Sequence, residues 1–335
     1  MRSQISAVGA KLVLNRALRY DGRRPLFIQG EPGIGKTAIV EQVAKDLGWE
    51  CVLSHPVAME ATDLTGLPWI SQGEKEARFR PYGDLARMLT RVEPTVWCFD
   101  DVGHARETTQ AALMHLAHAR RINEHTLPDC VRIVATSNRR IDRGAAAKVL
   151  APFATRFARF ELVADIASWT SWAYATFVDW RVIKYLESFP AALSVEVVSP
   201  DEPTPNPRGW HIASDVLAWE LPHEEQAAML WATLGANADG FNSFLRVVEE
   251  LPNPLEVLRG TLQVDLGTLA TDRVAMLLDA CAYHVIAAHR QSLTSDTPKS
   301  AAMKGVLQAL CDSASKVGYI EAATEIMRRV EEASC

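Results

Sequence analysis

The residues with the clearest chemical potential are Gly30-Glu31-Pro32-Gly33-Ile34-Gly35-Lys36-Thr37, which carry the spacing GxxxxGK[ST]. Glycines at these positions let backbone N–H groups curl around phosphate oxygens, and a helix starting at the end of the loop adds positive potential. Lys36 would reach the β- and γ-phosphates of a nucleotide, and the Thr37 hydroxyl would ligate Mg²⁺. Further on, Val96-Trp97-Cys98-Phe99-Asp100-Asp101 is an apolar run ending in two carboxylates. Beside a phosphate loop, the first acid of such a pair holds the metal shell and the second polarises an attacking water. Asn138 and Arg156 each follow or precede a β-branched run. Taken alone, Asn138 could cap a turn and Arg156 could be a surface residue.

Those residues need a scaffold that brings them together, and the first half of the chain supplies a pattern for one. Short apolar runs, Leu26 to Gln29, Cys51 to Ser54, Val96 to Phe99, Val131 to Ala135 and Ala158 to Leu162, alternate with helix-like stretches such as Thr37 to Leu47 and Glu107 to Arg120. Alternation of this kind predicts parallel strands with crossover helices, and the C-terminal ends of parallel strands gather at one crevice where ligands bind. The loop at 30–37 lies between a strand and a helix, which is the context its chemistry requires.

After about Val163 the strand signals almost stop. Helices are expected over Ile166 to Phe177, Trp180 to Phe189, Ile212 to Trp219, Glu224 to Leu234, Asn242 to Glu250, Asp272 to His289 and Met303 to Val330. Prolines at 200, 203, 205 and 207 make the stretch from Ser199 to Pro207 a loop. Six of the nine tryptophans fall between Trp169 and Trp231, at helical spacings that suit a packed interior. The expected division is 1–163 for the nucleotide-binding α/β domain and 164–335 for a helical lid with a C-terminal helical extension.

With 48% hydrophobic and 23% charged residues, the chain is neither disordered nor fibrous. No apolar run approaches the roughly 18 residues of a membrane span, and the N-terminus lacks the apolar core of a secretory signal, so a cytoplasmic location is expected. Six scattered cysteines, Cys335 among them, show no paired spacing and predict free thiols. The net charge of −6 argues against a dedicated nucleic-acid binder and leaves room for a local basic pore. His115 and His118 share a helix face but show no third ligand, and read as a surface pair.

The order of these pieces resembles the MoxR-type AAA+ ATPases of the helix-2-insert clade, from about Leu12 to the last helices. Ala61-Thr62-Asp63-Leu64-Thr65-Gly66-Leu67-Pro68 is similar to that family's D-L-x-G-L-P stretch. Gln110 to Met114 followed by Arg120 to Pro128 resembles its helix and hairpin before the next strand. Ala135-Thr136-Ser137-Asn138 resembles the sensor-1 strand end, and Ala154-Thr155-Arg156-Phe157 the element whose arginine reaches the γ-phosphate of a neighbouring subunit. Pro205-Asn206-Pro207-Arg208-Gly209-Trp210 resembles the sensor-2 element of the lid.

The resemblance implies a P-loop AAA+ core with a parallel sheet and an all-α lid, assembled as a ring, hexameric in the family. It implies ATP and Mg²⁺, with nucleotide held by Gly30, Pro32, Gly33, Ile34, Gly35, Lys36, Thr37, Ala38 and Arg208. Metal would be held by Thr37 and Asp100, and Lys36, Asp101, Asn138 and Arg156 would be catalytic. It implies chaperone-like remodelling or activation of a partner, commonly one carrying a von Willebrand factor A domain.

Two departures stand out. Asp101 occupies the place of a glutamate and Gly103 that of an asparagine, and both point to slow turnover. Two other functions remain open at this level: a nucleic-acid motor, and a nucleotide-dependent assembly scaffold. The insert from Leu67 to Pro81 reads as a hairpin turning near Gln72-Gly73. Its Trp69, Arg78, Phe79 and Arg80 either face a ring pore or belong to a hairpin packed on its own domain.

Overall fold

A computed structural model describes residues 4–20, 24–73, 75–139, 149–150, 153–195, 202–292 and 299–334. Ser199–Asp201 of the proline-rich stretch and Cys335 lie outside them. The chain forms two compact units, Met1–Ser168 with Asn206–Arg208, and Trp169–Pro205 with Gly209–Cys335.

In the first unit the elements follow in the order β1 (Gln4–Ile5), α1 (Ala7–Tyr20), β2 (Leu26–Gly30), α2 (Lys36–Asp46), β3 (Glu50–Ser54), α3 (Ala61–Thr65), β4 (Leu67–Trp69), β5 (Arg78–Arg80), α4 (Gly83–Leu89), β6 (Thr95–Phe99), α5 (Glu107–Ala119), β7 (Arg121–Ile122), β8 (His125–Thr126), β9 (Val131–Asn138), α6 (Phe153–Arg156) and β10 (Ala158–Leu162). Six strands form one sheet in the order β1-β10-β2-β9-β6-β3, and every pairing in it is parallel. The five expected strands are all present. The short edge strand β1 is an addition, too brief to leave a pattern in the sequence.

Alternation along each strand sorts its side chains to two faces. Phe27, Trp97, Phe99, Ile133 and Ala135 pack with Leu64, Leu85, Met88, Leu113 and Leu116 from α3, α4 and α5. Leu26, Ile28, Val96, Cys98 and Val134 pack with Ala10, Leu14, Leu18, Ile39, Val40 and Val43 from α1 and α2. Both faces are therefore covered, which is why β2 and β6 read as continuous apolar runs rather than alternating ones. Complete burial pushes the Cys98 thiol well above its usual range, so it is a packing group and not a nucleophile.

The second unit is helical: α7 (Ile166–Ala175, begun in the first unit), α8 (Trp180–Ser188), α9 (Pro207–Ala218, likewise), α10 (His223–Leu234), α11 (Asn237–Glu249), α12 (Pro254–Leu258), α13 (Thr271–Ser292), α14 (Lys299–Lys316) and α15 (Ile320–Ser334). Trp210 is fully buried against Tyr185 and Phe241, and its indole N–H donates to the Ala192 carbonyl at 2.8 Å.

Four expectations for this half need correction. The helix expected from Asn242 begins at Asn237. The helix expected from Met303 to Val330 is two helices. Gly318 takes φ +101°, and the Tyr319 N–H turns back to the Ala314 carbonyl at 2.9 Å, a glycine stop that α-helical periodicity on either side conceals. The helix expected from Ile212 begins at Pro207, because proline at the first helical position loses no hydrogen bond. Trp219 and Trp231 are 54% and 49% exposed, so helical spacing placed only part of the tryptophan set in the interior. Among the described residues, no helix is long and apolar enough to cross a membrane.

Candidate nucleotide site

Because the sheet is parallel, Gly30 of β2 and Asn138 of β9 are register partners at its C-terminal edge. Phe99, the last residue of β6, pairs with Ala135 of the same strand β9. Asp100 therefore emerges beside Thr136, and the loop 30–36 opens over both.

Gly35 sits immediately before α2 with φ +94°, and Gly33 has φ +74°, a backbone that other residues adopt only with strain. A side chain at Gly33 would also strike the Asn206 carboxamide, its Cβ lying 2.3 Å from Oδ1. The Lys36 ammonium is buried and donates to the carbonyls of Gly30 at 3.2 Å and Glu31 at 2.8 Å, and to Oδ1 of Asn138 at 2.8 Å. The first N–H groups of α2 have no carbonyl to bond within the helix, so they and this cation converge on one place where an anion is favoured.

Thr37 and Thr136 both donate their hydroxyls to Oδ1 of Asp100, at 2.6 and 2.5 Å. Thr136 in turn accepts the backbone N–H of Asp101 at 3.1 Å. This hydroxyl–carboxylate cluster is all oxygen, the donor chemistry that Mg²⁺ prefers, with Thr37 at the loop and Asp100 across from it. The residues fit that ion together with nucleotide phosphates. His55 approaches the other Asp100 oxygen at 3.9 Å. Glu31, Arg139 and Glu161 form a charged chain behind the loop, with separations of 2.9 and 3.8 Å.

The site thus unites Gly30, Lys36, Thr37, Asp100 and Asn138, with Asp101 next in the chain. It also includes Asn206 and Arg208, which belong to the first unit rather than to the helical half where the sequence pattern put them. The Arg208 N–H donates to the Gly33 carbonyl at 3.1 Å, while its side chain is exposed. Pro32 and Ala38 are exposed at the loop, and Ile34 is buried beneath it.

Arg156 is not part of this group. It precedes β10, whose first residue Ala158 pairs with Leu26, while Leu162 pairs with Gly30. Four strand residues at about 3.3 Å each place Arg156 at the opposite edge of the sheet, at least about 13 Å from the loop. There it is exposed, with Nη1 at 3.3 Å from the Met114 sulfur.

Sequence reasoning missed Thr136, which is fully buried. The period-2 rule could have found it, since residues two apart on a strand share a face and Asn138 had already been singled out. Thr136→Val keeps the shape and removes the hydroxyl that Asp100 and the Asp101 N–H share. It is expected to cost about 1–3 kcal/mol of stability and to slow any turnover by about tenfold or more, read by thermal unfolding and phosphate release. An unchanged rate would remove Thr136 from the site.

The hairpin β4–β5 is antiparallel, as its turn residues predicted. β5 is tied to the second hairpin, β7–β8, by the Phe79 N–H donating to Glu124 at 3.2 Å and by His125 Nε2 at 2.9 Å from the Phe79 carbonyl. Trp69 remains 57% exposed. Among the described residues no cluster of three or more His, Cys, Asp or Glu side chains could hold a metal; His115 and His118 are both exposed on α5.

A glycine loop joining strand to helix, a buried lysine within it and a threonine–aspartate pair across from it define a P-loop nucleotide-binding protein. Residues 25–157 match the AAA domain of the dynein-related subfamily, and the first unit carries the AAA+ P-loop fold. Among solved structures, the RuvB Holliday junction branch migration motor of Thermotoga maritima is 13% identical, with 77% of this chain and 75% of that chain covered and a TM-score of 0.40. A mutant of that RuvB is 14% identical, with 77% of each chain covered and a TM-score of 0.39. A Cytophaga hutchinsonii protein described as an ATPase is 14% identical, with 71% of this chain and 88% of that chain covered and a TM-score of 0.35. No curated protein matches significantly.

Proposed function

We propose that this chain is a ring-forming AAA+ ATPase of MoxR type that works in the cytoplasm and couples ATP binding and hydrolysis to remodelling or activation of a protein partner. The observation that carries the assembly is the placement of Arg156. It is exposed at the sheet edge opposite Lys36, so it is of use to a phosphate only on another copy of the chain. A ring, hexameric in the family it resembles, supplies that copy.

Within one subunit the main chain of Gly30, Pro32, Gly33, Ile34 and Gly35, with Lys36, Thr37 and Ala38, would hold the phosphates, and Arg208 would meet them from the start of α9. Thr37 and Asp100 would hold Mg²⁺, which supplies charge neutralisation on the phosphate oxygens. Lys36 stabilises negative charge on the γ-phosphoryl group. Asp101 and Asn138 orient the attacking water for in-line displacement, and the neighbour's Arg156 meets charge as it develops. Asn138 already bonds Lys36, and nucleotide that draws the ammonium toward its phosphates would end that bond. The partner is proposed to be a protein with a von Willebrand factor A domain or another protein substrate.

Mass and phosphate release measured together, across a range of protein concentrations with and without Mg²⁺-ATP, test this reading. Turnover per subunit is expected to climb as a ring forms. A ring without turnover would select the scaffold function. Salt-sensitive binding to DNA that stimulates turnover would select the nucleic-acid motor. A persistent monomer would remove the shared site.

A further inference from the structure

We infer that His104 is the positioning residue of Asp101: its imidazole bonds Oδ2 and so fixes the plane of the carboxylate that is proposed to orient the attacking water. The inference rests on the ATPase reading of this site and adds a residue to it.

Asp101 opens a single 3₁₀ turn, Val102–His104, and has left-handed backbone angles, φ 54° and ψ 49°. That conformation costs a residue with a side chain roughly 1–2 kcal/mol, so something must hold it. Two contacts do. The backbone N–H is anchored on Thr136 at 3.1 Å, and the carbonyl accepts the His104 N–H at 3.2 Å, which closes the turn. In a 3₁₀ turn side chains three apart are eclipsed, and here His104 Nδ1 stands 2.7 Å from Oδ2 of Asp101. Hydrogen bonding to an oxygen-only acceptor requires a proton on Nδ1.

The other oxygen, Oδ1, is buried and has no hydrogen-bond partner among the described residues. The Asp101 side chain is nonetheless 37% exposed, so Oδ2, which His104 holds, is the oxygen left to meet a water. Asp101 lies next in the chain to the Asp100 cluster, where the γ-phosphate and its water are proposed to sit.

The shortened acid explains why a clamp is needed. An aspartate is one methylene shorter than the glutamate of the family the chain resembles and reaches less far toward a water. Misplacement of order 1 Å costs about 100-fold in rate, so the carboxylate must be fixed rather than free. Thr136 fixes its backbone and His104 fixes its plane.

Three variants of the full chain separate this role from a packing role, with kcat, KM and the affinity for a fluorescent ATP analogue measured on each. His104→Ala is expected to lower kcat by about 30- to 100-fold while KM and nucleotide affinity stay within about twofold. His104→Phe keeps a ring without a donor and is expected to be equally slow. His104→Asn places an amide N–H near the position of Nδ1 and is expected to recover to within about fivefold of wild type. His104 is exposed, and thermal unfolding checks that each variant is folded; should His104→Ala melt, the Phe and Asn pair makes the same distinction. Full activity in His104→Ala or His104→Phe, or failure of His104→Asn to recover, overturns the inference and leaves the ATPase reading in place. Wild-type protein that binds nucleotide but releases no phosphate overturns the ATPase reading and the inference with it.

Discussion

Arg156→Ala is expected to bind nucleotide with wild-type affinity and to hydrolyse it about a thousandfold more slowly, the low end of what arginine fingers contribute. The split follows from position. Arg156 lies at the N-terminal edge of the sheet, across from the strand ends that carry Gly30, Asn138 and Asp100, so it takes no part in its own subunit's phosphate site. Being exposed, it can be truncated at little cost in stability.

A mixing experiment sharpens the prediction. Lys36→Ala subunits have an intact Arg156 and a disabled loop, while Arg156→Ala subunits have the reverse. Neither alone should turn over, but mixed rings contain interfaces in which a sound loop faces a sound arginine, and these should recover a measurable fraction of wild-type rate. Recovery requires trans action, and its absence in rings shown to mix would place the arginine elsewhere.

The central sheet was legible because its strands are buried on both faces and so stand out as unbroken apolar runs between helical stretches. Leu26, Val96 and Val131 begin or nearly begin their strands as expected, and the loop at 30–37 falls where its chemistry requires. What the sequence could not show is spatial pairing. That Lys36 spends its hydrogen bonds on Asn138 and two loop carbonyls depends on register between β2 and β9, which no motif encodes. Thr136 and His104 escaped notice for a related reason. Each acts on an acid distant in sequence or across a single turn, and threonine and histidine are common enough that neither stands out by type. The glycine stop at Gly318 was hidden because apolar periodicity resumes immediately after it. Asn206 and Arg208 were expected in the helical half, where the chain trace puts them, but the Gly33 contact draws their short segment into the first unit.

Lys36→Ala carries the second large effect, an expected loss of nucleotide affinity of at least about 100-fold, because it removes the cation proposed to face the β- and γ-phosphates. Thermal unfolding separates this from a general loss of structure. Without nucleotide, Lys36 is bonded to two carbonyls and Asn138, and removing its side chain leaves space in which a water can take over these bonds. The variant should therefore unfold within a few degrees of wild type when both are nucleotide-free. With nucleotide at 100 times its dissociation constant, wild type gains about 2.7 kcal/mol, which at about 2–4 °C per kcal/mol for a domain of this size is a rise of roughly 5–10 °C. Lys36→Ala should show almost none of that rise. A variant that melts early without nucleotide would make Lys36 a structural residue of the loop, and one that keeps the full rise would move phosphate recognition to the backbone N–H groups of Gly33 to Thr37, with the lysine serving only the reaction that follows.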